Sequence, residues 1–448
     1  MRQYSSYKNS GIEWIGEIPI HWEISKIKYT GFLYSGLSGK SGDDFRDEEN
    51  PNNRYFIPFT NIFRNTYISK YNFGKVVINE GDIQNLVKKN DIFFLMSSED
   101  YEDLGKTSVL IDDYDELYLN SFCKGLRITN LSVYPLFLNY QLSGNTHKKL
   151  ISIEGSGFTR INLRQDKLTS TQVLLPPLSE QEHIVSYLDD KTTKIDELIQ
   201  KKLRKIDLLK EYRTSLINTV VTKGLNPDVP MKDSGIEWIG EIPSHWEVKK
   251  LKYVSEIIPS NVDKHIFPDE IQVSLCNYTD VYKNEIIDLQ YEFSKGSCNQ
   301  NEKDKYQLRK SDVIITKDSE SPDDIGVPCL ITEDLDNVVC GYHLTMLRPI
   351  ELEGGFLFRY LQTNFTKSYF CISSNGMTRY GLGKSSIEDL ITLSPPISEQ
   401  EHIVSYLDEK TSQIDKTIDI EKKKIELLKE YRQSLISNVV TGKIKVIE

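Results

Sequence analysis

Between residues 178 and 224, and again between 397 and 442, apolar side chains return at alternating steps of three and four, the period of a helix that buries one face. In the first segment one seam reads Leu188, Ile195, Lys202, Leu209, Leu216 and the other Thr192, Ile199, Ile206, Arg213, Val220. In the second the seams are Leu407, Ile414, Glu421, Leu428, Leu435 and Thr411, Ile418, Ile425, Arg432, Val439. The limits of each helix are also written in. Pro176-Pro177 and Pro395-Pro396 cannot continue a helix, Ser179 with Glu182 and Ser398 with Glu401 have capping-box spacing, and Gly224 and Gly442 suit a left-handed closing residue. Some five heptads make a rod about 60 Å long. Two such helices separated by a globular segment are expected to pair as an antiparallel coiled coil within the chain, relating its two halves by a pseudo-two-fold axis. Lys202 and Glu421 hold the same repeat position near the middle of each helix and are candidates for setting register. The other reading has both side chains snorkelling to solvent.

The remainder of the chain is also written twice. Gly11-Ile12-Glu13-Trp14-Ile15-Gly16-Glu17-Ile18-Pro19 recurs letter for letter as residues 235–243, and His21-Trp22-Glu23 recurs as His245-Trp246-Glu247. All four tryptophans lie in this duplicated block. Residues 179–189 recur unchanged as 398–408, and Leu208-Leu209-Lys210-Glu211-Tyr212-Arg213 recurs as residues 427–432. Two segments between these blocks have diverged but keep a skeleton. Phe59 to Asn65 lines up with Tyr278 to Asn284, Lys89-Asn90-Asp91-Ile92 with Lys310-Ser311-Asp312-Val313, and Gly157-Phe158-Thr159-Arg160 with Gly376-Met377-Thr378-Arg379. A repeat of this kind decides the architecture. The expected order is a tryptophan block (residues 1–24), a variable domain (25–177), a helix (178–224), a linker with the second tryptophan block (225–248), a second variable domain (249–396), a second helix (397–442) and a tail (443–448). Short apolar runs such as Asp91 to Leu95 and Asp312 to Ile315 beside Gly- and Asn-rich turns make each variable domain a mixture of short strands and helices, so the fold class is α+β.

Composition narrows the chemistry. The 448 residues are 38% hydrophobic and 27% charged, enough for packed cores. No run of about 18 apolar residues offers a membrane span, and no secretory leader is visible, so a cytoplasmic location is expected. Six cysteines form no CxxC pair and five fall in the second half, which fits neither a disulfide framework nor a zinc site. Gly39-Lys40-Ser41 and Gly383-Lys384-Ser385 end like phosphate-binding loops, but Tyr34 and Thr378 stand where the first glycine is needed. Neither Pro-Pro sits in an amino-methyltransferase tetrad, and Pro322-Asp323-Asp324 lacks the downstream acidic-x-Lys of a common nuclease site. The duplicated histidines (His21 and His245, His183 and His402) have no carboxylate or cysteine at metal spacing and read as structural or interface groups. A non-catalytic, metal-free chain is expected. The net charge of −11 argues against a self-sufficient nucleic-acid binder, although a basic face can exist on an acidic chain.

The tryptophan blocks, the Pro-Pro-x-Ser-Glu-Gln-Glu helix starts and the Leu-Leu-Lys-Glu-Tyr-Arg stretches, each present twice in this order, resemble the specificity subunits of type I restriction–modification systems over essentially the whole chain. The resemblance implies two target-recognition domains, each reading half of a split DNA site through the major groove. It implies helices that act as a ruler for the gap and dock two methyltransferase subunits. S-adenosylmethionine for adenine methylation is then bound by the partner, with no cofactor on this chain. Motor–nuclease subunits supply ATP- and Mg-dependent restriction, with one copy of this chain per complex. Two reading heads on one face of a duplex stand about 34 Å apart, which a rod of the expected length can hold. A protein-binding coiled-coil scaffold is the alternative; near-identical variable domains would favour it, and these differ.

Base edges and phosphates are met by Arg, Lys, Asn, Gln and Thr. The candidates are Thr159, Arg160, Asn162, Arg164 and Gln165 in the first head and Thr378, Arg379, Tyr380 and Lys384 in the second. The shared Thr-Arg suits phosphate positioning, and the unlike neighbours suit readout. Arg64 and Lys283, expected after an aromatic strand and a turn, are further phosphate candidates, with a hairpin salt bridge as the other reading. Trp14, Trp22, Trp238 and Trp246 are read as packing on the helix ends, or else as a surface for docking partners.

Overall fold

A computed structural model describes residues 3–45, 49–157 and 159–446. It divides into two compact units: residues 1–202 with 423–448, and residues 203–422. Each unit therefore takes one variable domain, or head, together with half of each long helix.

In the first unit a hairpin of Tyr7–Asn9 and Glu17–Pro19 precedes the head. The head begins on Glu23–Lys26 and ends on Gln172–Leu175, and these strands pair antiparallel, closing the domain at its base. Its main sheet runs Gly31–Ser35, Cys123–Ile128, Ile92–Leu95, Thr107–Val109. A second sheet sets Asn53–Ile57 between Leu117–Leu119 and Gly74–Val77, and a third sets Ile161–Leu163 between Gly155–Ser156 and Ser97–Ser98. The second unit repeats this plan. Ser255–Pro259, Leu344–Pro349, Val313–Thr316, Pro328–Ile331 and Ile286–Ile287 form its main sheet, and Asp318–Ser319 pairs with Tyr380–Gly381.

The central strand explains why its sequence is an unbroken apolar run. Ile92, Phe93, Phe94 and Leu95 are all buried, because side chains alternate between faces and each face meets a separate core. Ile92 and Phe94 join one cluster with Leu126 and Leu138, whereas Phe93 and Leu95 join another with Ile57 and Leu117. Val313 and Ile315 divide from Ile314 in the same way in the second unit.

The turn before this strand is the part of the skeleton that both heads keep. Asn90 and Ser311 hold left-handed backbone at φ 71° and 72°. The next residue, Asp91 or Asp312, accepts from a backbone N–H three residues earlier at 2.8 Å and is gripped by Arg127 or Arg348 through two guanidinium nitrogens. These carboxylates are 1% and 0% exposed, so the arginine serves as their counter-ion. Serine tolerates the left-handed region less well than asparagine. Ser311→Asn is therefore expected to stabilise the second unit by about 0.5–1 kcal/mol, read as a higher denaturation midpoint.

The long helices span Leu178–Lys223 (46 residues) and Ile397–Val440 (44 residues). Each starts directly after the Pro-Pro pair, one residue before the serine, so Ser179 and Ser398 lie inside the first turn and not at a cap. The buried glutamines do the anchoring. Gln181 donates to Pro176 O and Ser132 O and accepts from Tyr134 N, and Gln400 donates to Pro395 O and accepts from Glu353 N. Gly224 and Gly442, both at φ 72°, close the helices as expected. A Cβ on Gly442 would lie 2.3 Å from Pro19 and 3.3 Å from Trp22. Gly442→Ala is accordingly expected to destabilise the first unit by about 1–2 kcal/mol from backbone handedness alone, with further loss from the contact, measured by chemical denaturation.

Within each unit the helix halves run antiparallel. In the second, Lys205 pairs with Glu421 at 2.9 Å and Arg213 with Asp415 at 3.1 Å, so one number rises as the other falls. In the first, Asp196 pairs with Arg432, and the far end of the second helix reaches the head's base, where Gln141 donates to both Leu174 O and Val440 O. Lys202 is half-buried in its seam, whereas Glu421 is buried and held by Lys205. No helix among the described residues is long and apolar enough to cross a membrane.

Candidate nucleic-acid interface

The tryptophan blocks resolve into two kinds of residue. Trp22 and Trp246 are 0% exposed, and their Nε1–H groups donate at 3.1 Å to Glu180 and Glu399 in the first turns of the long helices. His21 and His245 reach the same carboxylates at 2.9 and 2.8 Å. The letter-for-letter repeat is thus one packed joint built twice, and the glutamate of Ser-Glu-Gln-Glu is its centre. Trp14 and Trp238, by contrast, are 57% and 67% exposed.

In the heads, Gly157 and Gly376 open the loops that carry Thr-Arg. Their φ values are 147° and 153°, and a Cβ would sit 2.0 Å from Arg160 O and 1.9 Å from Arg379 O. Glycine is required at both, and the loops fold back alike. Phe158 lies outside the described residues. Thr159, Arg160, Thr378 and Arg379 are all exposed.

Each arginine then meets the residue just before the strand that carries Arg127 or Arg348, the counter-ion of the buried aspartate. In the first head Arg160 lies over the half-exposed Phe122 ring at 4.8 Å. In the second, strand register puts His343 at the position of Phe122, and Arg379 Nη2 lies 3.3 Å from its Nδ1. That nitrogen is 2.7 Å from Asp318 Oδ2, and the shorter contact places its proton toward the carboxylate. Asp318 in turn pairs with Gly381, where the first head pairs Ser97 with Asn162. One scaffold therefore presents a common arginine against unlike surroundings.

A concave surface of the second head links these groups. Tyr278, Ser319, Thr378 and Arg379 line one hollow together with the carboxylates of Asp318, Glu320 and Asp324, and Tyr278, Asn277, Lys264, Lys295, Tyr342 and His343 line another beside Asp263. Lys317 lies over Tyr342 at 4.6 Å, and burial lowers its pKa. In the hollow of Lys264 and Lys295 the lysines outnumber the one carboxylate, Asp263, and with the amide, hydroxyl and aromatic groups beside them suit a polyanion with readable edges. The Arg379 hollow is instead predominantly acidic.

The remaining candidates sit elsewhere. Arg164 is tied to Asp166 at 3.0 Å, and Lys384 lies 3.6 Å from Glu388; Gln165 and Lys384 each begin a short helix. Asn162 is exposed and donates to Arg160 O at 3.2 Å, whereas Tyr380 packs on the second unit's core. Arg64 and Lys283 do not follow a strand and turn. They are the last residues of short helices, Phe59–Arg64 and Tyr278–Lys283, the second of which is started by a capping box of Asn277 and Asp280. Phe122, Tyr278, Tyr342 and His343 escaped the sequence reading, since nothing local distinguishes them; only strand register brings them to the loops.

Fold and site together define a two-headed protein with one framework and two unlike candidate surfaces. The type I restriction modification DNA specificity domain family matches residues 37–208 and 243–430. The MjaVIII specificity subunit of a type I restriction enzyme, from Methanocaldococcus jannaschii, is 24% identical over 438 residues, spanning 96% of this chain and 94% of that one. Two solved structures share the fold. A chain from work described as the structural basis of complex assembly and conformational transition of the type I R-M system gives a TM-score of 0.72 at 15% identity, covering 95% of this chain and 99% of that one. The HsdS subunit from Thermoanaerobacter tengcongensis gives 0.55 at 16% identity, over 95% and 98%. The chain belongs to the type I restriction–modification DNA specificity family and carries its domain twice.

Proposed function

We propose that this chain reads a bipartite DNA site, one half with each head, on behalf of methyltransferase and motor–nuclease subunits that perform the chemistry. The observation that carries this is the pair of Thr-Arg loops: identical backbone devices at Gly157 and Gly376 hold equivalent arginines beside Phe122 in one head and the His343–Asp318 pair in the other. A scaffold meant only for protein binding has no need of two differentiated heads. The long helices set the gap between half-sites and dock two methyltransferase subunits. Trp14 and Trp238, exposed at equivalent positions, are the residues of the tryptophan blocks available for that docking. The chain itself is non-catalytic. S-adenosylmethionine is bound by the methyltransferase, and ATP and Mg act with the nuclease subunits.

The net charge of −11 makes DNA binding a property of the assembly. A gel shift with purified chain, with and without the methyltransferase partner, tests the reading. Binding to a split site in the complex supports it, and no sequence preference in any mixture sinks it.

A further inference from the structure

The two units repeat one construction with a difference that leaves positive charge uncovered in the first. In the second unit Glu285 follows the short helix Tyr278–Lys283, and its carboxylate lies 2.6 Å from Arg213 Nη2 and 3.8 Å from Arg359. Asp415 takes the Nε side of Arg213 at 3.1 Å, so this guanidinium is met on two edges by the chain's own carboxylates. In the first unit the same place belongs to Thr66. It follows the short helix Phe59–Arg64, and its carbonyl accepts from Val109 N as the carbonyl of Glu285 accepts from Leu330 N. Arg432, the repeat counterpart of Arg213, keeps the Nε contact, to Asp196 at 3.0 Å. Nothing replaces the Glu285 carboxylate on its other edge among the described residues.

A hollow of about 210 Å³ opens there instead, lined by Arg64, Lys148 and Arg432 beside Thr66. Lys148 is half-buried, and neither it nor Arg64 has an ion-pair partner among the described residues. Burial, and secondarily the Lys106 ammonium, lowers the pKa of Lys148, against the opposite pull of Glu102, Asp103 and Asp100. Lys106 itself is held by Asp103 at 2.7 Å. The counterpart of Lys148 by repeat position, Lys367, is exposed.

The geometry points to an oxyanion seat in the first unit, formed by Arg64, Lys148 and Arg432, that takes a phosphate group where the second unit uses the carboxylate of Glu285. Three cations outmatch a single carboxylate, and an arginine fork with an ammonium is a suitable donor set for phosphate oxygens. The phosphate can come from a DNA backbone or from a free phosphate. The seat does not depend on base reading by the heads.

Calorimetric titration of the full chain with inorganic phosphate, at constant ionic strength against chloride, tests it. One saturable site is expected, with a rise in the first unit's melting temperature of roughly 3–6 °C at tenfold excess over Kd. Thr66→Glu supplies the missing carboxylate and should abolish the site, and Lys148→Gln should weaken it should the glutamate disturb folding. Glu285→Thr should create a second site. Duplex binding with the methyltransferase partner then separates the sources. For a backbone phosphate, Thr66→Glu lowers the slope of log K against log salt by about 1–2, whereas for a free phosphate that slope is unchanged. The absence of both a saturable phosphate heat and a changed salt slope overturns the assignment. So does a Thr66→Glu effect confined to assembly with the methyltransferase, which would make the seat one for a partner's carboxylate.

Discussion

Trp22→Ala is expected to destabilise the first unit by about 3–5 kcal/mol, the range for deleting a buried aromatic side chain. The ring is fully buried, meets Phe137 edge-on at 6.4 Å, and donates to Glu180 at the start of the first long helix. Gly442 at the end of the second helix packs against the same ring. One side chain therefore joins the head, one helix's beginning and the other's end, and its loss leaves a cavity at all three. Glu180 is 4% exposed and would keep only Tyr4 and His21 as partners. Trp22→Phe retains much of the volume but loses the N–H, and about 0.5–1.5 kcal/mol is expected for one lost hydrogen bond to a carboxylate that keeps Tyr4 and His21. Denaturant midpoints at constant m-value give both numbers. A loss below about 1 kcal/mol for the alanine variant would mean that this joint does not hold the framework together. Trp246→Ala should act equivalently on the second unit, through Phe356 and Glu399.

How much of this was legible in the sequence depends on the range of the interaction concerned. The helices were, because burial of one face repeats every three to four residues and their glycine ends need left-handed backbone. The pairing of tryptophan blocks with helix starts was suggested by their common duplication. Its chemistry was not, because the Glu180 partners are 158 and 159 residues away. Ser179 looked like a cap from its spacing to Glu182, yet the proline pair already ends the strand and the helix begins one residue sooner. The Asn90-Asp91 and Ser311-Asp312 turns survived in otherwise divergent heads because their carboxylates are buried counter-ions. The candidate reading surface was half legible: the Thr-Arg loops announced themselves by repetition, whereas Phe122 and His343 did not. An alignment of the two heads by strand register, instead of by residue identity, would have found them.

Arg379→Ala is expected to weaken binding to the second half-site by roughly 5- to 150-fold, the equivalent of about 1–3 kcal/mol for one well-placed arginine contact. Arg160→Ala should do the same for the first half-site. The guanidinium of Arg379 keeps its donors available, since the imidazole proton of His343 is directed to Asp318. Arg160 instead rests on a hydrocarbon face. The two arginines share no partner, so their effects should add in the double variant. The manner of loss separates the possible contacts. An arginine on a phosphate weakens all duplexes alike and lowers the salt slope by about 1, whereas an arginine on a base edge relaxes preference at one position. His343→Phe makes the second head resemble the first at this point and releases Asp318, so it should alter preference in the second half-site and leave the first untouched. Competition binding of randomised duplexes to the complex with its methyltransferase measures all three. If both arginine variants keep full affinity and unchanged preference in both halves, these loops do not touch DNA, and the hollow lined by Tyr278, Lys295 and Tyr342 becomes the surface to test.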